Sequence, residues 1–374
     1  MKQIVLVGAG HTHAYVLSRW RRSPISGAQL TCVSPYRFAT YSGMLPGMLA
    51  GQFERVAMEI DLAVLCASAG VRLIVAEASG LDVGGQRVLL DGAVPEQYDV
   101  VSVGVGSVPS LDGVRIDAPS AFVPVKPIQT FIARLTAAVT IHGPAGTRPL
   151  RLAVVGGGAA GVELALCVPR FIARARARLD TRCVLVTSAR LLDDSSPSTI
   201  AHAASALERR GIVVHEHCRV TTVAAGALTL DNGTWLPTDV AIWATAATAP
   251  PFLRATGLPV DERGFLLTNS TLRAEAGGPV FAVGDSGSID GLGVPKAGVY
   301  AVRQGPILWA NLRRTLEGRT LLPYTPQKSF LKLLNTGDGR AIGEWRSWSF
   351  EGRLPAAIKA WIDRRFVEQF QAGR

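Results

Sequence analysis

Short unbroken apolar runs, each stopped by small residues, dominate this chain and read as strands buried on both faces. Residues 4–7 run into Gly8-Ala9-Gly10, and a helical stretch through Trp20 and a second strand at 30–33 follow. The same events recur later: residues 152–155 meet Gly156-Gly157-Gly158-Ala159-Ala160-Gly161, followed by a helix from Val162 and a strand at 184–187. Each pass closes on a further apolar strand, at 98–104 and at 238–245, so one strand–helix–strand plan is used twice.

The Gly-Pro-Ala-Gly run at 143–146 with Pro149 marks a surface loop before the second pass, and Pro250-Pro251 marks its exit. Residues 280–285 then form another buried strand ending in a turn. If that strand pairs with the first unit, the first domain is discontinuous and the second is inserted in it. The expected fold class is α/β, with two Rossmann-like dinucleotide-binding domains, the second inserted in the first, plus a small C-terminal region. The expected limits are 1–110 with 251–320 for the first domain, 111–250 for the second and 321–374 for the C-terminal region.

Glycines at the end of a parallel strand allow a tight turn and a close backbone approach to a pyrophosphate, whose charge then sits on the helix N-terminus. Gly156, Gly158 and Gly161 have the full spacing, whereas the first copy has only Gly8 and Gly10, with His13 at the third position. Two copies in matching contexts point to dinucleotide binding. Neither second strand ends in the acidic residue that usually holds the ribose: one ends at Ser34, the other at Thr187-Ser188 with Arg190 close behind. Arg190 suits an NADP phosphate or is simply a solvated arginine.

Composition narrows the class. Apolar residues make up 48% and charged residues 18% of the 374, which excludes disorder. A net charge of +10 favours anionic partners, yet no aromatics interleave with the arginines at 170, 174, 176 and 178, so nucleic acid is not expected. The five cysteines are odd in number and scattered, which suits a reducing compartment. His11 and His13 have no neighbouring ligand cluster, so no metal is expected. With no signal-like start and no apolar run near the roughly 20 residues that span a bilayer, a cytoplasmic protein is expected, peripheral to the inner face of a membrane if it binds one.

These residues resemble the two-dinucleotide-binding flavoprotein family that includes type II NADH dehydrogenases, sulfide:quinone oxidoreductases and pyridine nucleotide-disulfide reductases, over about residues 1–320. Gly8-Ala9-Gly10-His11-Thr12-His13, Ser34-Pro35 and Tyr41-Ser42-Gly43-Met44-Leu45-Pro46-Gly47 are most similar to the NADH dehydrogenase-like flavoproteins that in some organisms are fused to selenide, water dikinase. The resemblance implies FAD in the first unit, on Gly8, Gly10 and Ser34, and NAD(P)H in the second, on Gly156, Gly158 and Gly161. It also implies that Asp285 binds the flavin's ribityl hydroxyls, the alternative being a helix cap. Lys296 is placed beside the flavin's pyrimidine edge, against the alternative of a solvated lysine. Glu163 is placed near the contact of nicotinamide and flavin, as a proton relay or simply as a first-turn glutamate favouring the helix dipole.

The expected activity is hydride transfer from NAD(P)H to FAD and on to a diffusible acceptor, with a slow redox sensor as the alternative. No cysteine pair close in sequence is present to receive electrons, and no cysteine follows Cys218. Quinone is the acceptor implied by resemblance, although Val299 and Arg303 replace the two glutamines of the corresponding helix, where Ala301, Gln304 and Gly305 do fit. Finally, Ile358, Trp361, Ile362 and Phe366 share one helical face, with Lys359 at its edge and Arg365 within it. That stripe suits the protein body, a homodimer partner or an anionic membrane surface, the basic residues burying their stems and reaching water with their charges.

Overall fold

The structure, a computed structural model, describes residues 1–143, 148–177, 179–275 and 278–371. The loop expected at 143–149 lies largely outside the described residues, as does Arg178.

The first unit is built on β1 (Lys2–Val7), α1 (His11–Arg22), β2 (Ala28–Ser34), β3 (Arg72–Val75) and β4 (Val100–Val103). The second uses β5 (Phe122–Pro124), β6 (Leu150–Val155), α2 (Ala159–Ala175), β7 (Thr181–Val186), β8 (Val213–His215) and β9 (Val240–Trp243). The chain then returns to the first unit with β10 (Val280–Ala282) and α3 (Gly298–Leu316). Both sheets are five-stranded and parallel, in the orders β10-β4-β1-β2-β3 and β5-β9-β6-β7-β8. They are the same arrangement with one difference: the outer strand beside the closing strand comes last in the first unit and first in the second. Since β10 pairs with β4, the second unit is inserted into the first. Ile4 to Val7 and Leu152 to Val155 are buried on both faces, as central parallel strands require.

A three-stranded antiparallel meander follows β3 in the first unit and β8 in the second, at Ala78–Asp82, Arg87–Leu90 and Glu96–Gln97, and at Val220–Ala224, Ala227–Leu230 and Trp235–Pro237. The C-terminal region forms an antiparallel sheet of β11 (Lys332–Asn335), β12 (Ala341–Trp345) and β13 (Trp348–Gly352), covered by α4 (Arg353–Glu368). One continuous apolar core joins both units and this region.

The packed face of α4 differs from the expected one. Pro355, Lys359, Asp363 and Val367 are buried, while Trp361 and Ile362 are exposed and Ile358 and Phe366 are partly covered. Lys359 does not carry its charge to water: its Nζ donates to the Gly43 carbonyl at 2.7 Å and to Asp363 Oδ2 at 3.1 Å. An ion pair one helical turn apart can line a buried seam when both ends are satisfied, and a hydrophobic period does not register it.

Candidate functional site

Both glycine turns leave an anion-ready helix end. Gly8 has φ +87° and a Cβ there would sit 2.4 Å from the Gly104 carbonyl oxygen; Gly156 has φ +127° and would place a Cβ 2.2 Å from that of Ala244. Only glycine fits either position. Gly10 and Gly158 then cap α1 and α2 without any side-chain hydrogen bond, so the first-turn amides are left for a ligand. A Cβ on Gly158 would meet nothing within 4 Å, the open space a phosphate needs.

The third position differs between the units. A Cβ on Gly161 would lie 1.7 Å from the Gly156 carbonyl oxygen, so α2 presses directly on its turn. In the first unit the buried ring of His13 spans the gap, Nδ1 2.6 Å from the Gly8 carbonyl oxygen and Nε2 2.8 Å from Ser102 Oγ. Nδ1 therefore donates to the carbonyl and Nε2 accepts from the hydroxyl, and burial lowers the imidazole pKa to about 4, which keeps it neutral.

Ser34 ends β2, where its Oγ is turned on its own loop, donating to the Tyr36 carbonyl at 2.9 Å and accepting from Tyr36 N–H at 3.2 Å. At the end of β7, Ser188 and Arg190 are exposed, and Leu191 N–H donates to Glu216 at 2.6 Å.

Asp285 follows β10 in the turn Gly284–Ser286 and is almost buried. Burial opposes its charge, but Lys126 at 2.8 Å and the Ser107 hydroxyl at 2.6 Å outweigh it and hold the carboxyl below its usual range. Lys296 lines the same cleft, together with Tyr300 and Gln304. Its Nζ donates to the Gly287 carbonyl and lies 4.1 Å from the centre of the Phe265 ring, and burial lowers its pKa to about 8 against the pull of Asp285. Lys296 is thus a held cation rather than a solvated one.

Glu163 lies beyond the first turn of α2, which removes the reading of it as a first-turn residue. It faces the seam with the C-terminal region, accepting Asn335 N–H at 2.7 Å. Burial raises its pKa to about 7, against the nearby Lys359 ammonium and that N–H. Lys359 loses to burial but gains more from Glu163 and Asp363, so its ammonium is held above the ordinary range. Two carboxyls and one lysine therefore share a largely buried seam that can store one proton near neutrality. Tyr41 adjoins it, stacking on Phe366 at 4.4 Å and edge-on to His11 at 5.3 Å.

Sequence reading passed over Lys126, Ser107, Asp363 and Asn335 and took Lys359 only as the edge of an apolar stripe, because their roles arise only once distant parts of the chain meet. It also missed that Cys32 and Cys66 meet in the core, where the hydrogen bond that the Cys32 thiol donates to Cys66, together with burial, pushes the Cys32 pKa up. The described cysteines are all free. Among the described residues no group of three or more His, Cys, Asp or Glu is arranged to hold a metal ion.

Residues 2–305 match the family described as pyridine nucleotide-disulphide oxidoreductase. The chain belongs to this family. Among its relatives is the demethylphylloquinone reductase NdbB of Synechocystis, 29% identical over 289 residues that cover 73% of this chain and 69% of that protein. The internal alternative NAD(P)H-ubiquinone oxidoreductase A1 of Arabidopsis thaliana is 29% identical over 175 residues, 44% of this chain but only 34% of that protein. The fold is shared with the sulfide:quinone oxidoreductase of Aquifex aeolicus, at TM-score 0.80 and 14% identity over 99% of this chain and 91% of that one. It is shared too with NDH2 of Plasmodium falciparum in complex with NADH, at TM-score 0.76 and 14% identity over 99% of this chain and 97% of that one.

As a pyridine nucleotide-disulphide oxidoreductase, the protein uses FAD and NAD(P)H. The residues fit a flavin nucleotide in the first unit. His11 Nε2 is buried without a partner, and it lies close enough to Asp285 and Lys126 to feel both charges. An orphaned ring nitrogen, the free amides of an uncapped helix end and an accepting carboxylate together make a set of polar groups that a sugar-phosphate ligand would complete.

Proposed function

We propose that this oxidoreductase passes electrons from NAD(P)H through FAD to a quinone at a membrane surface. The observation that carries the reading is the pair of uncapped helix ends at Gly10 and Gly158, each behind a turn only glycine can make. In this reading the flavin unit comprises 1–110 and 251–320, the nucleotide unit 111–250, and the C-terminal region 321–374 closes the seam between them.

When bound, FAD would supply a two-electron carrier between the nicotinamide and the acceptor. Gly8, Gly10 and Ser34 border the flavin nucleotide, and Asp285 accepts from its sugar chain. Gly156, Gly158 and Gly161 hold the nicotinamide dinucleotide. Lys296, fixed by Gly287 and Phe265, supplies positive charge at the cleft it shares with Asp285. Glu163, whose carboxyl burial pushes up to about 7, exchanges the proton that quinone reduction consumes, and the Lys359 ammonium opposes that rise. The quinone reading is supported by the relatives named for demethylphylloquinone and ubiquinone reduction.

The membrane reading rests on the outer face of the C-terminal region. No helix among the described residues is long and apolar enough to cross a bilayer. Trp348 at 76%, Leu354 at 71% and Trp361 at 59% exposure instead stand out on the β12–β13 turn and on α4, accompanied by Arg346, Arg353, Arg364 and Arg365. Aromatic rings with arginines suit the interface of an anionic leaflet, which supports a peripheral position at the inner face of a membrane.

Steady-state NAD(P)H oxidation with a soluble quinone, with and without anionic liposomes, tests both points. Wild type should turn over quinone, and Trp348→Ser with Trp361→Ser should lose liposome binding while keeping flavin reduction. Binding should also weaken as salt rises. Flavin reduction without quinone turnover would favour the slow sensor. A concentration-dependent dimer lost in the double variant would assign the patch to a second copy instead.

A further inference from the structure

The entry to the nucleotide unit carries a lysine aimed back into the flavin unit. Val125 N–H donates to the Trp243 carbonyl at 2.9 Å, and Arg134 Nη2 donates to the carbonyls of Pro124 at 2.7 Å and Pro127 at 3.0 Å. The backbone on both sides of Lys126 is therefore tied down. Its ammonium crosses the unit boundary to Asp285 Oδ2 at 2.8 Å and also donates to Ser107 Oγ. Ser107 Oγ donates to that same Oδ2 at 2.6 Å. Two donors thus converge on one carboxylate oxygen, and among the described residues no donor reaches Oδ1. The backbone of the turn is pinned as well: Gly284 N–H donates to Gln304 Oε1 at 2.6 Å, and Ser286 Oγ accepts Gly106 N–H at 2.9 Å. The turn that carries Asp285 is thereby held in place.

We propose that Lys126 is a positioning residue for the flavin: with Ser107 it occupies Oδ2 of Asp285 and leaves Oδ1 for a hydroxyl of the flavin's sugar chain. This rests on the flavin reading of the first unit. The carboxylate is nearly buried, and with Lys126 gone only the Ser107 hydroxyl and the weaker pull of Lys296 would oppose the burial that favours its neutral form. Because Lys126 is carried on the nucleotide unit, flavin affinity depends on how that unit is seated.

The test is FAD affinity of the reconstituted full chain, followed by flavin fluorescence across a pH series, for wild type, Lys126→Met, Lys126→Arg and Ser107→Ala. Lys126→Met should weaken FAD binding by about 10- to 100-fold, the usual effect of removing a hydrogen bond to a charged group. On acidification it should release flavin at higher pH than wild type, since its carboxylate protonates sooner. Lys126→Arg should restore most of the affinity, and Ser107→Ala should cost less than Lys126→Met. Unchanged affinity and pH profile in Lys126→Met would overturn the proposal. So would equal losses in Met and Arg variants that track a lowered melting temperature of the apoprotein, because the bridge would then be only structural. Wild type that binds no FAD would instead overturn the flavin reading beneath it.

Discussion

The two nucleotide units solve one packing problem in opposite ways. In the second, the helix position facing the turn is Gly161 and the closing strand ends in Ala244; in the first, that helix position is His13 and the strand ends in Gly104. The two closing residues are equivalent, since Gly104 N–H donates to the Val7 carbonyl and Ala244 N–H to the Val155 carbonyl, each at 2.8 Å. A Cβ on Gly104 would come 2.7 Å from the His13 ring. Side-chain volume has moved from strand to helix, and the glycine requirement has moved the other way. What the turn demands is a filled space and a satisfied carbonyl, which a neutral imidazole supplies as well as a closely packed helix does.

The comparison breaks most visibly at Gly161. Gly161→Ala forces a methyl group to 1.7 Å from a carbonyl oxygen with backbone on both sides, so a loss upwards of about 3 kcal/mol is expected. Urea unfolding should show it, and NAD(P)H binding should be lost while flavin stays bound. Next comes acid. His13 has a folded pKa of about 4 against 6.5 unfolded, so its contribution is present above 6.5 and is lost as pH falls toward 4. The loss is up to roughly 3 kcal/mol, and His11, lowered likewise to about 4, adds to the same window. His13→Asn should flatten stability across that range, measured by urea midpoints at fixed pH.

Gly104→Ala should cost about 2 kcal/mol through its contact with the imidazole, and much less in a His13→Ala background. An additive double-mutant cycle would show that the two positions do not share a space. An effect of similar size to the acid one, and of opposite sense, concerns Glu163. Its pKa is raised from 4.5 to about 7, so its contribution is full below 4.5 and is lost as pH rises through 7. Glu163→Gln should remove that decline, seen as melting temperatures that no longer fall between pH 4.5 and 7, and should slow quinone turnover more than flavin reduction.

The paired turns were legible because a glycine that must adopt positive φ or admit a carbonyl within van der Waals distance leaves a spacing in the sequence. The insertion of one unit in the other followed from the apolar run at 280–283, whose pairing with β4 is what a buried parallel strand needs. The antiparallel meanders were missed because strands such as Arg87–Leu90 are short and half exposed, and give no unbroken apolar run. The buried stripe of α4 was misread for a related reason: Lys359 and Asp363 count as polar to any periodicity, yet together they are a satisfied pair that belongs inside. Lys126 and Ser107 carry no local signature, and their role exists only once residues 107, 126 and 285 are brought together. His11 was weighed only as a metal ligand, while its orphaned nitrogen beside Asp285 is visible only in three dimensions.

The central claim, flavin in the first unit and nicotinamide nucleotide in the second, is tested most directly by anaerobic titration of the purified protein with NADH and NADPH while the flavin absorbance is followed. Wild type should be yellow and bleach with at least one nucleotide, Asp285→Ala should be colourless but folded, and Gly158→Val should stay yellow yet resist bleaching. Colourless wild type that cannot be reconstituted with FAD, or a Gly158→Val protein that bleaches as readily as wild type, would contradict it.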